Sequence, residues 1–270
     1  MTATALDRIR AISRRDMKLK LSYPFDLLTS FWGIAVSVFM FFFIGQLVGD
    51  TPLISEAEGG YFAYAVVGVT VMGIAYATIG VFTSTFRSEM ANGTLELLLS
   101  SSTRLRDILL GSLTVPFVFA GVQALGYFGL GWALAPDSLH PLAWVRALPV
   151  LILIVLSFAA IGLFSAAMVI VAQRGDPVGV LFAEATNLLA GAVFPVALMP
   201  EWLQVVARFI PTFYGFEALR SLMLADASWA SVADELAILA AFDVALAVIG
   251  VWLLRKALRF ARVMGTLGTA

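Results

Sequence analysis

Six long apolar runs constrain this chain more than any other feature of its sequence. Each run is long enough to cross about 30 Å of hydrocarbon as a helix, which takes roughly 20 residues. The runs are continuously apolar, whereas the strands of a membrane barrel alternate polar and apolar residues. Because backbone groups in lipid must be hydrogen-bonded within their own segment, we predict an all-α membrane protein with six transmembrane helices. They are residues 27–48, 61–85, 108–134, 142–172, 178–198 and 233–254.

The composition agrees with a protein embedded in a bilayer. Hydrophobic residues make up 61% of the chain, charged residues only 13%, and the mean hydropathy is +0.95. These values exceed what the water-facing surface of a soluble domain of this size allows. No internal repeat or low-complexity linker divides residues 1–270, so we expect a single transmembrane domain. We expect membrane lipid and no nucleic acid among its partners, although the formal net charge of -1 by itself says little about partners.

The positions of the basic residues predict the orientation. Most of the 17 Lys and Arg residues fall in the N-terminal segment, in the loop 86–107, after the fourth run or after the sixth run. The loop 49–60 carries acidic residues and no Lys or Arg. Because cytoplasmic loops retain positive charge, we predict that both termini are cytoplasmic in a multi-pass protein of the cell membrane.

The N-terminal segment 1–26 is too polar for a signal peptide, and no cleavage is predicted. Leu6, Ile9 and Ile12 recur every three residues with basic residues between them. This spacing is typical of a short interfacial helix on the inner membrane surface. A solvated basic tail that obeys the positive-inside rule is the alternative.

The residue inventory argues against chemistry carried out by this chain alone. The chain has no cysteine and one histidine, His140, so neither a thiolate metal site nor an imidazole cluster can form within it. A P-loop needs Gly-Lys-Ser/Thr, and none of the lysines, Lys18, Lys20 and Lys256, follows a glycine. We therefore predict no catalytic residue, no metal and no cofactor in this chain, and any nucleotide energy must come from another polypeptide.

One polar segment, residues 86–107, interrupts the apolar pattern with the sequence FRSEMANGTLELLLSSSTRLRD. Asn92 and Thr94 are suitable helix caps, Gly93 permits backbone conformations that other residues resist, and a short apolar run follows. We expect a short cytosolic helix, then a serine-rich turn, with Thr103 capping span three and Asp107 in its first turn. This segment is either a docking element or a plain connector between two spans.

The residues of this segment resemble a motif of ABC-2 type exporter permeases, and six spans with both ends inside match that family too. In the family this segment is a coupling helix that sits in a cleft of a separate ABC ATPase, which binds the ATP and Mg, while the N-terminal surface helix helps to cradle that subunit. The resemblance also implies a dimer of permease chains, with itself or with a related chain. Many members carry a proline where this chain has Ser100, Ser101 and Ser102. The matching positions are Glu89, Gly93, Thr94, Leu95, Glu96, Leu97 and Leu98.

A second resemblance lies between spans five and six, where the family has a re-entrant outer gate. The amphipathic piece 200–210 is too short to cross the bilayer. On the next amphipathic piece, residues 212–225, Glu217 and Arg220 form an i,i+3 pair. We expect the segment 199–232 to be re-entrant on the outer side, with a surface hairpin without gating as the alternative. The matching positions are Phe194, Pro195, Pro200, Trp202, Leu203, Gln204, Pro211, Glu217 and Arg220.

Two acidic residues fall inside predicted spans. Glu184 lies near Thr186 and Asn187 in span five, and Asp243 lies near the middle of span six, where its partner must come from another helix. Ionisable residues at membrane depth are functional candidates, so Glu184, Asn187 and Asp243 are pathway candidates, with a structural polar network as the alternative.

The resemblance to this family implies the permease subunit of an ATP-driven exporter that moves an amphipathic substrate such as a drug, a lipid or a lipid-linked glycan. The alternative is an ATP-independent protein, either a secondary transporter that uses Glu184 and Asp243 or a membrane scaffold.

Overall fold

A computed structural model describes residues 4–48, 60–95, 97, 104–139, 141–173 and 175–264. These residues form nine α-helices and one short 3-10 turn and contain no strand, which confirms the all-α prediction. His140, the acidic outer loop 49–59 and the serine-rich turn lie outside the described residues. The helices are α1 (Ala5–Leu21), α2 (Pro24–Val48), α3 (Gly60–Ala91), α4 (Leu105–Leu134), α5 (Pro141–Ala172), α6 (Pro177–Leu189), α7 (Glu201–Ala207), α8 (Pro211–Met223) and α9 (Ala233–Met264), with the 3-10 turn at Val196–Leu198 between α6 and α7.

Five helices among the described residues are long and apolar enough to cross a membrane, namely α2, α3, α4, α5 and α9. The predicted continuous span 178–198 is wrong, because α6 ends at Leu189 after 13 residues. At about 1.5 Å per residue, α6 is roughly 20 Å long, well short of a hydrocarbon core of about 30 Å. The predicted count of six full-length spans is therefore not reproduced.

The physical reason for this difference is a side chain that replaces the helical hydrogen bonds beyond Leu189. Gly191 adopts a left-handed backbone with φ 76°, which ends the helix. The guanidinium of Arg220, on α8, donates to the carbonyl oxygens of Gly191 at 2.5 Å and Ala192 at 3.0 Å. Non-helical backbone at membrane depth is stable where protein satisfies it in this way, and a hydropathy pattern contains no sign of such a partner.

The long helix α5 lies at the centre of the bundle. It packs against α3, α8 and α9, while α4 packs on the other side of α3 and α2 lies against both α3 and α4.

The helix ends fall into two groups. One group, called here the α1 end, contains α1, the C-terminal turns of α3, α5 and α9, and the N-terminal turns of α4 and α6. A compact apolar cluster fills it, including Phe86, Met90, Leu95, Leu109, Ile170, Leu254 and Leu258.

The N-terminal helix α1 lies on the surface of the bundle with no fully buried residue. It begins with a capping box, in which the Thr4 backbone N–H donates to the Asp7 carboxylate at 3.0 Å and the Asp7 N–H donates to the Thr4 hydroxyl at 3.3 Å. The Thr4 hydroxyl also donates to the Asp7 carboxylate at 2.7 Å, and the two bonds from Thr4 to this carboxylate hold the pKa of Asp7 below its usual range. Further along, the Ser13 hydroxyl contacts the Gly111 carbonyl at 3.2 Å and the Thr114 hydroxyl at 2.9 Å, which fixes α1 against α4.

Candidate functional site

The helix α3 continues beyond the membrane-length apolar run and ends in a Schellman motif. The predicted span stops at residue 85, but α3 extends to Ala91, so the first part of the polar segment is a helical extension of the span. The N–H of Thr94 donates to the Glu89 carbonyl at 2.9 Å, and the N–H of Gly93 donates to the Met90 carbonyl at 3.0 Å. Gly93 has φ 66°, the left-handed conformation that this motif requires. The chain therefore turns sharply at Gly93.

Glu89 connects this turn to α1. One carboxylate oxygen accepts a hydrogen bond from Arg15 of α1 at 2.8 Å, and the other accepts from the Thr94 hydroxyl at 2.6 Å. The Glu89 side chain is 12% exposed, so both contacts are partly shielded from solvent. Glu89 thus joins the surface helix, the end of α3 and the residue that starts the next helical turn.

Two leucines after the turn have opposite environments. Leu95 is fully buried in the apolar cluster of the α1 end, whereas Leu97 is helical and 69% exposed. The first anchors the segment, and the second presents an apolar side chain at the surface of this monomer. Glu96 and Leu98, which the sequence also singled out, lie outside the residues whose side chains are described.

The C-terminal flank of the polar segment 86–107 also contacts α1. Asp107 lies in the first turn of α4 as predicted, but the N-cap of α4 is Arg104 and not Thr103, because α4 begins at Leu105. The Asp107 carboxylate is 1% exposed and accepts from Arg8 of α1 at 2.8 Å. The N-terminal helix therefore contacts both flanks of the polar segment, through Arg15 on one side and Arg8 on the other. The sequence analysis used these arginines only to predict orientation and missed their pairing.

A third connection joins α3 to the start of α6. Arg87 donates to the Gly175 carbonyl at 3.1 Å, in the loop between α5 and α6. The next residue, Asp176, caps α6 by accepting from the Gly179 N–H at 2.8 Å, and it also accepts from the hydroxyls of Ser165 and Thr83. The C-terminal extension of α3 is thereby connected to α1 and to the loop that precedes α6. No sequence motif marked this polar cluster.

At the opposite end of the bundle, Arg220 organises the turn that follows α6. Its guanidinium lies 3.5 Å from the centroid of the Tyr64 ring, and the Tyr64 hydroxyl donates to the Gly191 carbonyl at 3.0 Å. The predicted i,i+3 ion pair with Glu217 is not formed: both residues are described, and their charged atoms are not within 4 Å of each other. The buried Arg220 contacts backbone carbonyls and aromatic rings, while Glu217 is exposed.

The other residues predicted for the outer gate surround this turn. Phe194 and Pro195 lie between Gly191 and the 3-10 turn, Pro200 precedes α7, and Pro211 is the first residue of α8. Gln204 donates to the Met199 carbonyl at 2.8 Å, which closes the turn onto α7. Trp202 is 66% exposed. The structure therefore brings Phe194, Pro195, Gln204 and Arg220 into one end of the bundle and leaves Trp202 and Glu217 at its surface.

The three pathway candidates do not form one site. Glu184 is exposed on α6 and accepts from the Tyr76 hydroxyl of α3 at 3.2 Å. Its neighbour Asn187 is partly buried, and the neighbouring Thr186 accepts from Thr212 at 3.4 Å instead of bonding Glu184. Asp243 is buried on α9, where one oxygen accepts from Ser157 of α5 and the other has no partner among the described residues.

Comparison with known proteins finds a family and several relatives that this chain resembles. A family model described as ABC-2 type transporter matches residues 8–224. Nodulation protein J of Rhizobium meliloti (strain 1021) is 28% identical over 185 residues, which cover 67% of this chain and 67% of that protein. Nodulation protein J of Sinorhizobium fredii is 28% identical over 221 residues, 80% of each chain. The linearmycin resistance permease protein LnrN of Bacillus subtilis is 28% identical over 197 residues, 72% of this chain and 46% of that protein.

Proposed function

The chain belongs to the ABC-2 type transporter family, and from that premise we propose that it is the permease subunit of an ATP-driven exporter of amphipathic molecules. The family match makes it a transmembrane subunit of an ABC transporter, a multi-pass protein of the bacterial cell membrane whose family implies a separate ABC ATPase partner. The export direction, the class of cargo and the mode of coupling are our proposals.

The observation that carries the proposal is the anchored turn at the end of α3. A plain connector needs no contacts beyond its own backbone, yet this segment is tied to α1 through Glu89 and Asp107. It also buries Leu95 while exposing Leu97. An exposed apolar side chain on a rigidly anchored turn suits a protein interface, where apolar groups are buried in the fully desolvated centre. We propose that the ATPase subunit covers Leu97.

Helix α6 connects the end of the bundle that contains α1 to the opposite end, where Arg220 holds the turn after α6, and such a connection suits coupled transport. The α3 extension contacts the start of α6 through Arg87, and the far end of α6 leads directly into the turn held by Arg220. In our proposal, a movement of the polar segment 86–107 shifts the packed helices α3 and α6. The shift of α6 then displaces the turn at Gly191 that Arg220 holds. In our proposal two such chains pair, and ATP-driven closure of two ATPases opens a pathway between them.

The cargo is proposed to be an amphiphile, because the route lies within a bilayer and the exposed Glu184 and Tyr76 give it polar contacts at membrane depth. The Bacillus relative is named for resistance to linearmycin. Linearmycin is therefore our first test compound, followed by a fluorescent phospholipid.

The test is reconstitution of the purified chain in proteoliposomes with and without a candidate ABC ATPase subunit. We expect a stable complex whose ATP hydrolysis drives uptake into inside-out vesicles and is uncoupled by Glu89→Ala. Transport by the chain alone, driven by an ion gradient and abolished by Glu184→Gln or Asp243→Asn, would instead establish a secondary transporter.

A further inference from the structure

Helix α6 packs loosely against the rest of the bundle. Its fully buried residues are Gly179, Ala183 and Thr186, which are small or polar. Leu181 and Leu188 on the same helix are exposed. Small side chains make few van der Waals contacts, and α6 packs far less extensively against α3 and α5 than α9 does against α5. The position of α6 therefore depends strongly on its polar contacts.

The polar contacts at the start of α6 converge on the carboxylate of Asp176. This carboxylate accepts from the Gly179 N–H of α6 at 2.8 Å, from the Thr83 hydroxyl of α3 at 3.3 Å and from the Ser165 hydroxyl of α5. The two hydroxyls lie 3.0 Å apart, and both residues are buried. An ionised carboxylate has about four lone-pair sites, so it can accept from all three donors at once. Asp176 therefore joins α3, α5 and α6 at one point.

The backbone on both sides of Asp176 is shaped to place its carboxylate. Gln173 and Gly175, which precede it, have φ of 53° and 45°, in the left-handed region. This conformation is uncommon for a residue with a side chain, and it persists where the surrounding structure determines it. A Cβ at Gly179 would lie 2.5 Å from the Oδ2 atom of Asp176, so glycine leaves the space that the carboxylate needs. The loop before α6 and the first turn of α6 are thus built around the Asp176 side chain.

A second contact at this end of α6, from Arg87 to the Gly175 carbonyl, is exposed. Hydrogen bonds are stronger in the low local dielectric of a protein interior than at its surface. Because Thr83 and Ser165 are buried, their bonds to Asp176 should fix the start of α6 more firmly than the Arg87 contact does.

We propose that Asp176 is a positioning residue that keeps α6 fixed to α3 and α5 at the α1 end, so that the three helices move there as one unit. This inference rests on the proposed function, because it names the side chain that carries a shift of the polar segment 86–107 into α6. An α6 released from Asp176 would no longer displace the turn that Arg220 holds. ATP hydrolysis would then continue with little transport.

The first measurement uses the full chain alone, so it needs neither the ATPase nor a cargo. Because the chain has no cysteine, spin labels can be attached at Ile152→Cys on α5 and Leu188→Cys on α6, both at exposed positions. We expect one narrow distance distribution in the labelled parent and a broadened or shifted one in Asp176→Ala. Gly179→Ala should have the same effect, because the added methyl group displaces the carboxylate.

Two controls separate positioning from a general loss of stability. Ser157→Ala removes a buried hydroxyl bond to Asp243 between α5 and α9, and it should lower the unfolding midpoint without changing the α5–α6 distance. Asp176→Asn should keep the distance of the parent, because its amide oxygen still accepts from the Gly179 N–H and its amide nitrogen can donate to the Ser165 hydroxyl. Parent-like distances in both Asp176→Ala and Gly179→Ala, or an equal change in Ser157→Ala, would overturn the proposal.

The second measurement follows transport by the complex with the ATPase in proteoliposomes. The cargo is linearmycin or the fluorescent phospholipid, whichever the wild type transports. Asp176→Ala should lower the maximal rate several-fold and leave the KM for that cargo unchanged, because no cargo contact is lost. Asp176→Asn should restore the rate, and a wild-type rate in Asp176→Ala would refute the role of Asp176. If the wild-type complex shows no ATP-driven transport, the proposed function fails, and the spin-label distances alone decide whether Asp176 positions α6.

Discussion

The Nη1 atom of Arg15 lies 2.8 Å from the Oε1 atom of Glu89, and this contact joins the N-terminal surface helix to the end of α3. The arginine side chain is 49% exposed and the glutamate 12% exposed, so the pair lies at the edge of the bundle. The position of this ion pair matters more for the proposed coupling than its contribution to stability does, because Glu89 also accepts a hydrogen bond from the Thr94 hydroxyl just after Gly93.

We predict that a double-mutant cycle of Arg15→Gln and Glu89→Gln gives a coupling energy of about 0.2–1 kcal/mol for unfolding in mixed micelles, as exposed pairs do. The same cycle with Lys256→Gln in place of Arg15→Gln should give no coupling. Transport by the complex with the ATPase should fall in the Arg15→Gln variant and in the Glu89→Gln variant. Full transport in Glu89→Gln would contradict a role for this contact in coupling.

Gly93 should tolerate asparagine better than alanine. An alanine in the left-handed region costs about 1–2 kcal/mol, whereas asparagine visits that region more readily. Gly93→Ala should therefore lower ATP-dependent transport while membrane insertion stays normal, and Gly93→Asn should restore most of it. The readout is initial transport rate at matched protein amount. If both variants behave as wild type, the sharp turn after Ala91 is not needed for coupling.

Arg220 should contribute to stability through the two backbone carbonyls that it holds. Arg220→Met keeps the apolar bulk but leaves the Gly191 and Ala192 carbonyls without their donor, at a cost of about 1–3 kcal/mol for buried groups. The midpoint of thermal unfolding in detergent should fall. The matched control is Arg208→Met, an exposed arginine between α7 and α8, which should leave the midpoint unchanged. Equal midpoints for the two variants would refute this assignment.

Two glycines on α3 offer a comparison within one helix. A Cβ at Gly68 would overlap the Ala192 carbonyl oxygen, whereas a Cβ at Gly80 would meet no atom within 4 Å. Overpacking costs about 1–3 kcal/mol, so Gly68→Ala should destabilise the protein. Gly80→Ala should be neutral or slightly stabilising, because alanine is the better helix former. Unfolding midpoints of the two variants, measured in the same detergent, test the close approach of α3 to the turn held by Arg220.

The sequence predicted the apolar helices well because hydropathy over long runs is set by the bilayer itself. It failed at residues 178–198, where the apolar pattern continues past the point at which Arg220 replaces helical hydrogen bonds. It also missed Arg8 with Asp107 and Arg15 with Glu89, since pairs separated by 99 and 74 residues leave no periodic signal. Local composition marked Gly93 as a position that permits unusual backbone conformations, but only the tertiary structure revealed the turn there and the side chains that anchor it.

The central claim is that a separate ATPase covers Leu97, and the absence of cysteine from the chain makes a direct measurement straightforward. Single cysteines are introduced as Leu97→Cys, Val263→Cys and Trp202→Cys, all at exposed positions. Each variant is treated with a short bifunctional maleimide in membranes that contain the ATPase subunit with surface cysteines around its docking cleft. We predict cross-linking from residue 97 and none from residue 202 at the opposite end or from residue 263 on α9. Absence of cross-linking at residue 97 in a complex that still transports would contradict the account.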